Sequence, residues 1–322
     1  MRARASALLI LVLGLLLSPV APPAHAADNG KWSVFPATGE DVQGRAHFRL
    51  EAAPGSTVRD EVTVANLSGS ARTFHLYGAD AYNTPRDGGF AVRGAEEEHR
   101  GVGVWLRLDR EKLRIPAGGR TTVPFTLTVP TNAEPGDHPG AVIALDQEVR
   151  KAGGAVGVGV RQAVGARVYL QVTGERKPAV EVEDVRWEYE APAVPGTGDD
   201  PATIRYTLVN SGNVTLRPEV RLAAEGVFGR ELVERAAGAV PLELLPGERV
   251  RLFESWTKPP AMDRGDVTVT VTDEATGQRA SASTSFLVVP WLLLAAVVLL
   301  LTVLALLLLR RRRGAADAAP RE

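Results

Sequence analysis

Hydrophobic and polar residues alternate along most of the chain between residues 27 and 286, and this period of two constrains the fold more than any other feature. In the clearest case, Arg120 to Val129, the side chains of Val123, Phe125 and Leu127 point one way while the residues between them point the other. This pattern is typical of a strand with one buried face. Comparable segments are His47 to Leu50, Val58 to Ala65, Thr73 to Ala79, Val104 to Leu108, Ala141 to Leu145, Val156 to Val160 and Ala166 to Val172.

Turn-forming sequences such as Pro54-Gly55 and Pro135-Gly136-Asp137 separate these segments, as expected for an antiparallel sandwich. Thr173 to Pro178 interrupts the pattern with a glycine, charges and a proline, which favours a domain boundary there. A second series of strands follows, among them Val214 to Leu222, Val240 to Leu245 and Val250 to Trp256, with a hairpin-type turn at Asn210-Ser211-Gly212-Asn213. The sequence therefore predicts an all-β fold of two tandem Ig-like antiparallel β-sandwich domains, residues 27–174 and 178–286, followed by one C-terminal transmembrane helix.

That helix is predicted at residues 290–309. The run from Trp291 to Leu309 contains no charge, and as a helix it would measure about 28 Å, close to the roughly 30 Å hydrocarbon core of a bilayer. Trp291 stands where an interfacial aromatic residue belongs. The arginines that follow at once, Arg310, Arg311, Arg312 and Arg313, mark the cytoplasmic side, so that residues 310–322 form a short basic tail inside the cell.

The other end of the chain has the features of a signal peptide. A short basic segment with Arg2 and Arg4 precedes an apolar stretch from Ala5 to Leu17, and Ala24-His25-Ala26 offers the small residues that a signal peptidase requires. We expect cleavage after Ala26, with an uncleaved anchor helix as the alternative. Together the two signals predict a single-pass plasma-membrane protein whose N-terminus and both β domains are extracellular.

The composition excludes several kinds of functional site. The chain contains no cysteine, which excludes disulfides, thiolate metal sites and a cysteine nucleophile. Its formal net charge is −1 although both ends are basic, so the exported part is acidic. An acidic exported part does not resemble a nucleic-acid-binding protein, which normally carries a basic stripe.

An ordered series of short segments resembles a known family. Val34-Phe35-Pro36, His47 to Leu50 and Val62 to Asn66 are followed by Ala81-Tyr82-Asn83 and then by Pro135 to Val142. In this order they are similar to the peptidoglycan-binding domain of the WxL-interacting protein family, over roughly Trp32 to Val172. The resemblance implies a membrane-anchored surface protein with Ig-like domains that binds cell-wall peptidoglycan or partner surface proteins, and that is not an enzyme. It assigns no binding residues.

Neither an enzyme nor a cofactor is predicted from the residues themselves. The histidines of the exported part, His47, His75, His99 and His138, lack the close spacing of metal ligands, and the Gly-x-Ser-x-Gly element of hydrolases is absent. We therefore expect no catalytic residue, no metal ligand and no cofactor.

The candidates for ligand binding are aromatic and amide side chains. Tyr82, Asn83 and Phe90 flank a turn-rich loop, where binding residues often lie, although the two rings could instead pack that loop onto the sandwich. Trp105 alternates with Val104 and Leu106, so it is exposed if those residues face the core, unless a loop covers it.

Two kinds of partner remain open. The first is peptidoglycan or another wall polymer, bound by the first sandwich, residues 27–174, which is the one further from the membrane helix in the sequence. The second is another exported protein, bound through loops or by addition of a strand at a sheet edge, for which the glycine-rich run Val156 to Val160 is suited.

Overall fold

The structure, a computed structural model, describes residues 27–37, 44–151, 159–190, 192, 201–237 and 242–317. It contains two β-sandwiches in tandem and one long apolar helix at the C-terminal end, which confirms the predicted fold class. The predicted signal peptide with its cleavage site at Ala26 lies outside the described residues, as do residues 156–158 of the glycine-rich run. The predicted domain limits stay a prediction.

The first sandwich packs two sheets face to face. Its strands are β1 Ala27–Asp28, β2 Trp32–Pro36, β3 Phe48–Ala52, β4 Thr57–Asn66, β5 Arg72–Asn83, β6 Phe90–Val92, β7 Leu106–Leu108, β8 Lys112–Ile115, β9 Arg120–Thr128, β10 Gly136–Asp146, β11 Arg150–Lys151, β12 Gly159–Val160 and β13 Ala163–Val172. One sheet has the strand order β1-β2-β4-β9-β7, and the other β3-β13-β10-β5-β6 with β8 also paired to β5; β11 and β12 form a separate ribbon. Among the described strands of the two sheets, neighbours run antiparallel except β3 and β13, which run parallel.

The core of the first sandwich follows the predicted alternation. On β9 the side chains of Val123, Phe125 and Leu127 are buried, as the pattern of apolar and polar residues requires. Phe125 meets Phe48 of the opposite sheet edge to face, with ring centroids 5.1 Å apart. Strand β10 is longer than predicted because it pairs with β13 from Gly136 onward, so Gly136 and Asp137 belong to the strand and not to a turn.

The predicted strand from Val104 to Leu108 is wrong in its first half. Residues Val102–Trp105 form a single helical turn, α1, and β7 begins only at Leu106. The carboxylate of Asp80 explains this, because it accepts backbone N–H groups of Arg100 (2.5 Å), Gly101 (3.0 Å) and Gly103 (2.7 Å), and so holds the chain in a turn.

The strands of the second sandwich are β14 Val180–Glu188, β15 Ala202–Asn210, β16 Glu219–Glu225, β17 Glu231–Ala236, β18 Arg249–Trp256, β19 Asp263–Asp273 and β20 Gln278–Val288. They form a three-stranded sheet, β14-β15-β18, and a four-stranded sheet, β17-β16-β19-β20. The buried side chains between the two sheets include Tyr206, Leu222, Trp256 and Val269.

Two strand predictions in this half are corrected. The predicted strand at Val214 to Leu222 starts only at Glu219, directly after Pro218, which cannot donate to a ladder. Of the predicted strand at Val240 to Leu245, residues 240 and 241 lie outside the described part of the chain, and the described part forms one bridge, between Leu216 and Leu244. The side chain of Asn83, from the first sandwich, explains this. It forms hydrogen bonds with the carbonyl of Glu243 and the N–H of Leu245, which a strand would use to pair with its neighbour.

The C-terminal helix, α2, spans Trp291–Asp317 and follows the end of β20 at Val288 after a short connection. Its segment Trp291–Arg310 is 20 residues long with a mean hydropathy of 3.3, and none of its apolar window is buried inside the protein. It is the one helix of the described residues that is long and apolar enough to cross a membrane.

Candidate ligand cleft between the two sandwiches

Asn83, predicted as a ligand contact, holds the two sandwiches together. It ends β5 and is buried; its Nδ2 donates to the carbonyls of Gly88 and Glu243, both at 2.8 Å, and its Oδ1 accepts the N–H of Leu245 at 2.8 Å. Both amide hydrogens are therefore used, along with one acceptor site. An asparagine bonded in this way has no donor left for a ligand.

Phe90 and Tyr82 lie on opposite faces of the sheet. Phe90 pairs with Asn83 in the ladder and shares its face, whereas Tyr82 precedes Asn83 and points the other way. The guanidinium of Arg167 covers the Phe90 ring at 4.2 Å from its centroid, and that of Arg93 lies 5.6 Å from the centroid of Tyr82. The candidates thus do not converge on one site.

Trp105 is also engaged within the first sandwich. It is the last residue of the α1 turn, packs against the first core, and has its ring centroid 4.8 Å from that of His138. Val104, expected in the core, is instead exposed. The helical turn exchanges the two roles, because residues in a helix do not alternate between two faces.

A carboxylate at the centre of the contact between the sandwiches binds both of them. Glu243 of the second sandwich accepts the hydroxyl of Tyr169 at 2.9 Å and pairs with Arg167 at 3.3 Å, both from β13. Its other oxygen accepts Arg217 at 3.0 Å. Burial alone would raise the pKa of Glu243, but the hydrogen bonds from Arg217 and Tyr169 and the two positive charges outweigh it, so that pKa lies below its usual range.

A third set of bonds joins the sandwiches beside the connecting segment. Asp137 of β10 donates its N–H to the carbonyl of Asn213 at 2.8 Å, and its carboxylate accepts the N–H of Thr215 at 2.8 Å. The Asn213 side chain donates to Pro135 O at 2.8 Å. Gly136 is required here, because its φ is +123° and a Cβ would lie 2.3 Å from Asn213 O. We call these contacts, made by Asn83, Glu243 and Asn213, the joint.

A cleft with a volume of about 1120 Å³ opens beside the joint. Phe90 and Arg167 line it from the first sandwich, and Arg217, Leu252 and Phe253 from the second. Phe253 has 66% of its surface exposed although it lies on a strand. The cleft therefore combines apolar walls with charged groups of both signs, since Arg86, Asp87, Glu219 and Glu254 line it besides Arg167, Arg217 and Glu243.

A smaller hollow of about 480 Å³ also borders the joint. Its lining includes three arginines, Arg49, Arg176 and Arg217, together with Asp137 and Asp273. Arg217 lines both concavities, and Arg176 lies 3.8 Å from the Asp137 carboxylate. This hollow is more polar than the larger cleft.

The residues that form the joint and the cleft were not found by sequence reasoning, apart from Asn83 and Phe90. Arg167 and Tyr169 are ordinary outward residues of a strand, and their partner Glu243 lies 76 and 74 positions further along the chain. No local pattern marks such a pair. The asparagine at a strand end was the available signal, since Asn66 and Asn210 occupy similar positions and are also buried.

The described residues show no group of three or more His, Asp or Glu side chains arranged to hold a metal ion. Ser255 and Lys258 have the Ser-x-x-Lys spacing of one class of acyl-transfer enzymes. They do not lie on one helical turn: Ser255 is at the end of β18 and Lys258 is in the loop after it, both exposed.

No protein-family model matches this chain, and no curated protein matches it in sequence. Several solved structures are similar to this chain at low identity and low TM-score. A chaperone–tip adhesin complex of CFA/I fimbriae is 11% identical and covers 80% of this chain and 99% of its own, with a TM-score of 0.37. The class 5 fimbriae chaperone CfaA is 12% identical, with 76% and 96% covered and a TM-score of 0.34.

A chain of the CsuC–CsuE chaperone–tip adhesion subunit complex of Acinetobacter baumannii is 11% identical, with 74% and 94% covered and a TM-score of 0.36. TM-scores this low carry no argument about function or partners.

Proposed function

We propose that this chain is a single-pass, non-enzymatic surface protein that holds an extended segment of another exported protein in the cleft between its two sandwiches. The observation that carries the proposal is the cleft itself, a concavity of about 1120 Å³ whose two walls come from different sandwiches and are held by the joint. Clefts at domain contacts are preferred binding positions, and a wall that is already ordered costs less entropy on binding.

The chemistry of the walls selects the occupant. Phe253 and Leu252 on β18 offer apolar surface, and Phe90 faces them from the first sandwich. Charged side chains of both signs line the same cleft, three arginines (Arg86, Arg167 and Arg217) and four carboxylates (Asp87, Glu219, Glu243 and Glu254). A segment with apolar side chains therefore fits the apolar walls, and its charged groups of either sign find a counterpart in the lining.

The apolar helix supports a membrane anchor. Its span Trp291–Arg310 has the length and hydropathy that a bilayer requires, and its side chains find no apolar partner within the described part of the chain. The arginines 310–313 at its end favour a cytoplasmic tail, with the sandwiches outside the cell. Sidedness is part of the proposal.

The resemblance to a peptidoglycan-binding domain stays a prediction. Glycan binding commonly uses open aromatic faces, and the rings of Tyr82, Phe90 and Trp105 are each in contact with Arg93, Arg167 and His138 respectively. This arrangement favours a protein segment over a glycan strand. Wall binding is therefore an outcome that the following test distinguishes.

The test places a benzophenone amino acid at Phe253 of the full-length chain in cells that produce it, with the same probe at Leu67 as the control. Leu67 is an exposed apolar residue of the first sandwich, outside the cleft lining. We expect the probe at 253 to crosslink one exported protein and the probe at 67 not to. The substitution Arg217→Gln should reduce that adduct several-fold. Adducts with wall fragments alone, and pelleting of the purified chain with sacculi, would establish wall binding instead; no adduct at 253 would contradict a cleft site.

A further inference from the structure

Large apolar side chains are exposed at one end of the second sandwich. Phe228 is fully exposed, Met262 and Leu287 have 70% and 63% of their surfaces exposed, and Val227 is exposed as well. Single exposed apolar residues are common on protein surfaces, but a group of them at one end marks an interaction site.

The strand register brings these residues to the same end. Leu287 pairs with Arg264, the second residue of β19, and Met262 directly precedes β19. Val227 is in the turn between β16 and β17, and its N–H donates to the carboxylate of Asp263 at 3.1 Å. We call this group, made by Val227, Phe228, Met262 and Leu287, the helix-side patch, because β20 ends at Val288 and the apolar helix begins at Trp291.

The outward face of β20 changes its chemistry along the strand. Its exposed residues are Arg279, Ser281, Ser283 and Ser285, and then Leu287 next to the helix. The apolar character of this outward face is therefore confined to its last position, next to the helix.

The turn that carries Phe228 is held rigidly. Phe228 has φ 60° and ψ 28°, a left-handed conformation that costs a non-glycine residue about 1–2 kcal/mol. Asp263 fixes the turn by accepting the N–H of Val227 and by pairing with Arg230 at 2.5 Å. A strained backbone that presents an aromatic ring to solvent is a reason to look for a binding surface.

We propose that the helix-side patch docks on the outer surface of the bilayer that α2 spans, with Phe228, Met262 and Leu287 inserted at the boundary between headgroups and acyl chains. This inference rests on the proposed membrane anchor. Leu287 lies four residues before Trp291, so even a fully extended connection leaves it within roughly 14 Å of the start of the helix. Continuity with the anchor therefore selects the bilayer as the occupant of the patch.

The charges at this end determine which lipids are needed. Lys258 and Arg264 are exposed near the patch, but Glu225, Glu231 and Asp266 are exposed there too. Because the signs are mixed, burial of apolar area is the main contribution, and docking should occur on uncharged phosphatidylcholine as well as on anionic lipid.

Because the chain contains no cysteine, a dye can be attached at one chosen position through a single introduced cysteine. Single substitutions F228C, L67C and L294C are introduced into the full-length protein, labelled with an environment-sensitive dye, and reconstituted in phosphatidylcholine nanodiscs that contain a lipid spin-labelled near the headgroup. Leu67, exposed on the first sandwich, is the matched control, and Leu294 reports on the helix. We expect the dye at 228 to be quenched several-fold more strongly than the dye at 67 and to shift its emission to shorter wavelength.

Quenching at 294 without quenching at 228 would overturn the docking inference and leave the anchor intact. A dye at 228 that is shielded but not quenched by lipid would point to a protein contact and would also overturn it. No quenching at 294 would overturn the membrane anchor, and the docking inference with it.

Discussion

At the end of the second sandwich that faces the first, Asn210 is buried and fully bonded, and Asn213 binds the connecting segment and strand β10. At the opposite end, Phe228, Met262 and Leu287 are exposed. Both ends consist of turns between strands, so the difference arises from their side chains and not from the architecture.

The comparison shows how the same sandwich makes two kinds of contact. Hydrogen bonds of defined length and direction fix one partner in one orientation, because each buried polar group needs its own counterpart. Exposed apolar groups have no directional requirement and suit a fluid surface. The joint is therefore specific, whereas the helix-side patch is adaptable. Four variants test this difference, and they are given in order of decreasing expected effect.

The strongest effect is expected at Gly136. The substitution G136A places a Cβ 2.3 Å from Asn213 O at a φ of +123°, so we expect the free energy of unfolding to fall by about 3 kcal/mol or more. G118A is the matched control, because Gly118 also has a positive φ but no neighbour within 4 Å, and should cost about 1 kcal/mol. Thermal unfolding of the full-length chain in detergent measures both. Equal losses would mean that the joint is not rigid at this point.

Removal of the Asn83 amide should make the two sandwiches unfold independently of each other. N83A leaves the carbonyl of Glu243 and the N–H of Leu245 without their partner, at a cost of about 2 kcal/mol, and should split one calorimetric transition into two. N66A is the comparison, because Asn66 makes similar bonds within the first sandwich alone, to Ile115 and Pro116. It should lower only the stability of the first sandwich. A single unchanged transition for N83A would contradict the role given to Asn83.

The joint should weaken in acid. The pKa of Glu243 is lower in the folded chain than its usual value of about 4.3, so its contribution is present above that value and is lost as the pH falls through the lower, folded pKa. We expect this contribution to be about 1 kcal/mol. Urea unfolding of the wild type and of E243Q between pH 3 and pH 7, about the range in which a glutamate titrates, measures it. The stability difference between the two should shrink as the pH falls; a constant difference would exclude the ionised carboxylate as the cause.

The smallest effect on stability is expected at the helix-side patch, and it has the opposite sign. F228G relieves a left-handed backbone at a fully exposed position, so it should raise the free energy of unfolding by about 1 kcal/mol while it weakens contact with the bilayer. D184G provides the control, because Asp184 also has a positive φ, 52°, but lies in the bulge of β14. It should stabilise the chain and leave lipid contact unchanged. Equal lipid contact in both variants would argue against the patch.

The sequence predicted the strands better than it predicted the contacts between them. The alternation on β9 places Val123, Phe125 and Leu127 in the core because one face of a sheet must be buried. The same rule failed at Trp105, since the Asp80 carboxylate, some 20 residues earlier, bends that segment into a helical turn. Side chains that act at a distance along the chain leave no periodic signal.

The candidate site illustrates the same limit. Asn83 and Phe90 were found because they flank a turn, but their partners Glu243 and Arg167 lie far along the chain, and the Asn83 amide is bonded within the joint. Phe228 had a local signal that was missed, since it lies between Gly226 and Gly229 in a tight turn. A large aromatic residue in such a turn is unusual for a simple hairpin, where small and polar residues dominate.

The most direct test of the account measures the distance between the two sandwiches in the full-length chain. Spin labels are attached to the substitutions K112C on the first sandwich and R279C on the second, both at exposed positions. The distance between the labels is then measured by double electron–electron resonance in nanodiscs. We expect one narrow distance distribution in the wild-type background, which broadens when N83A is added. A broad distribution in the wild-type background would contradict a rigid joint and, with it, a preformed cleft.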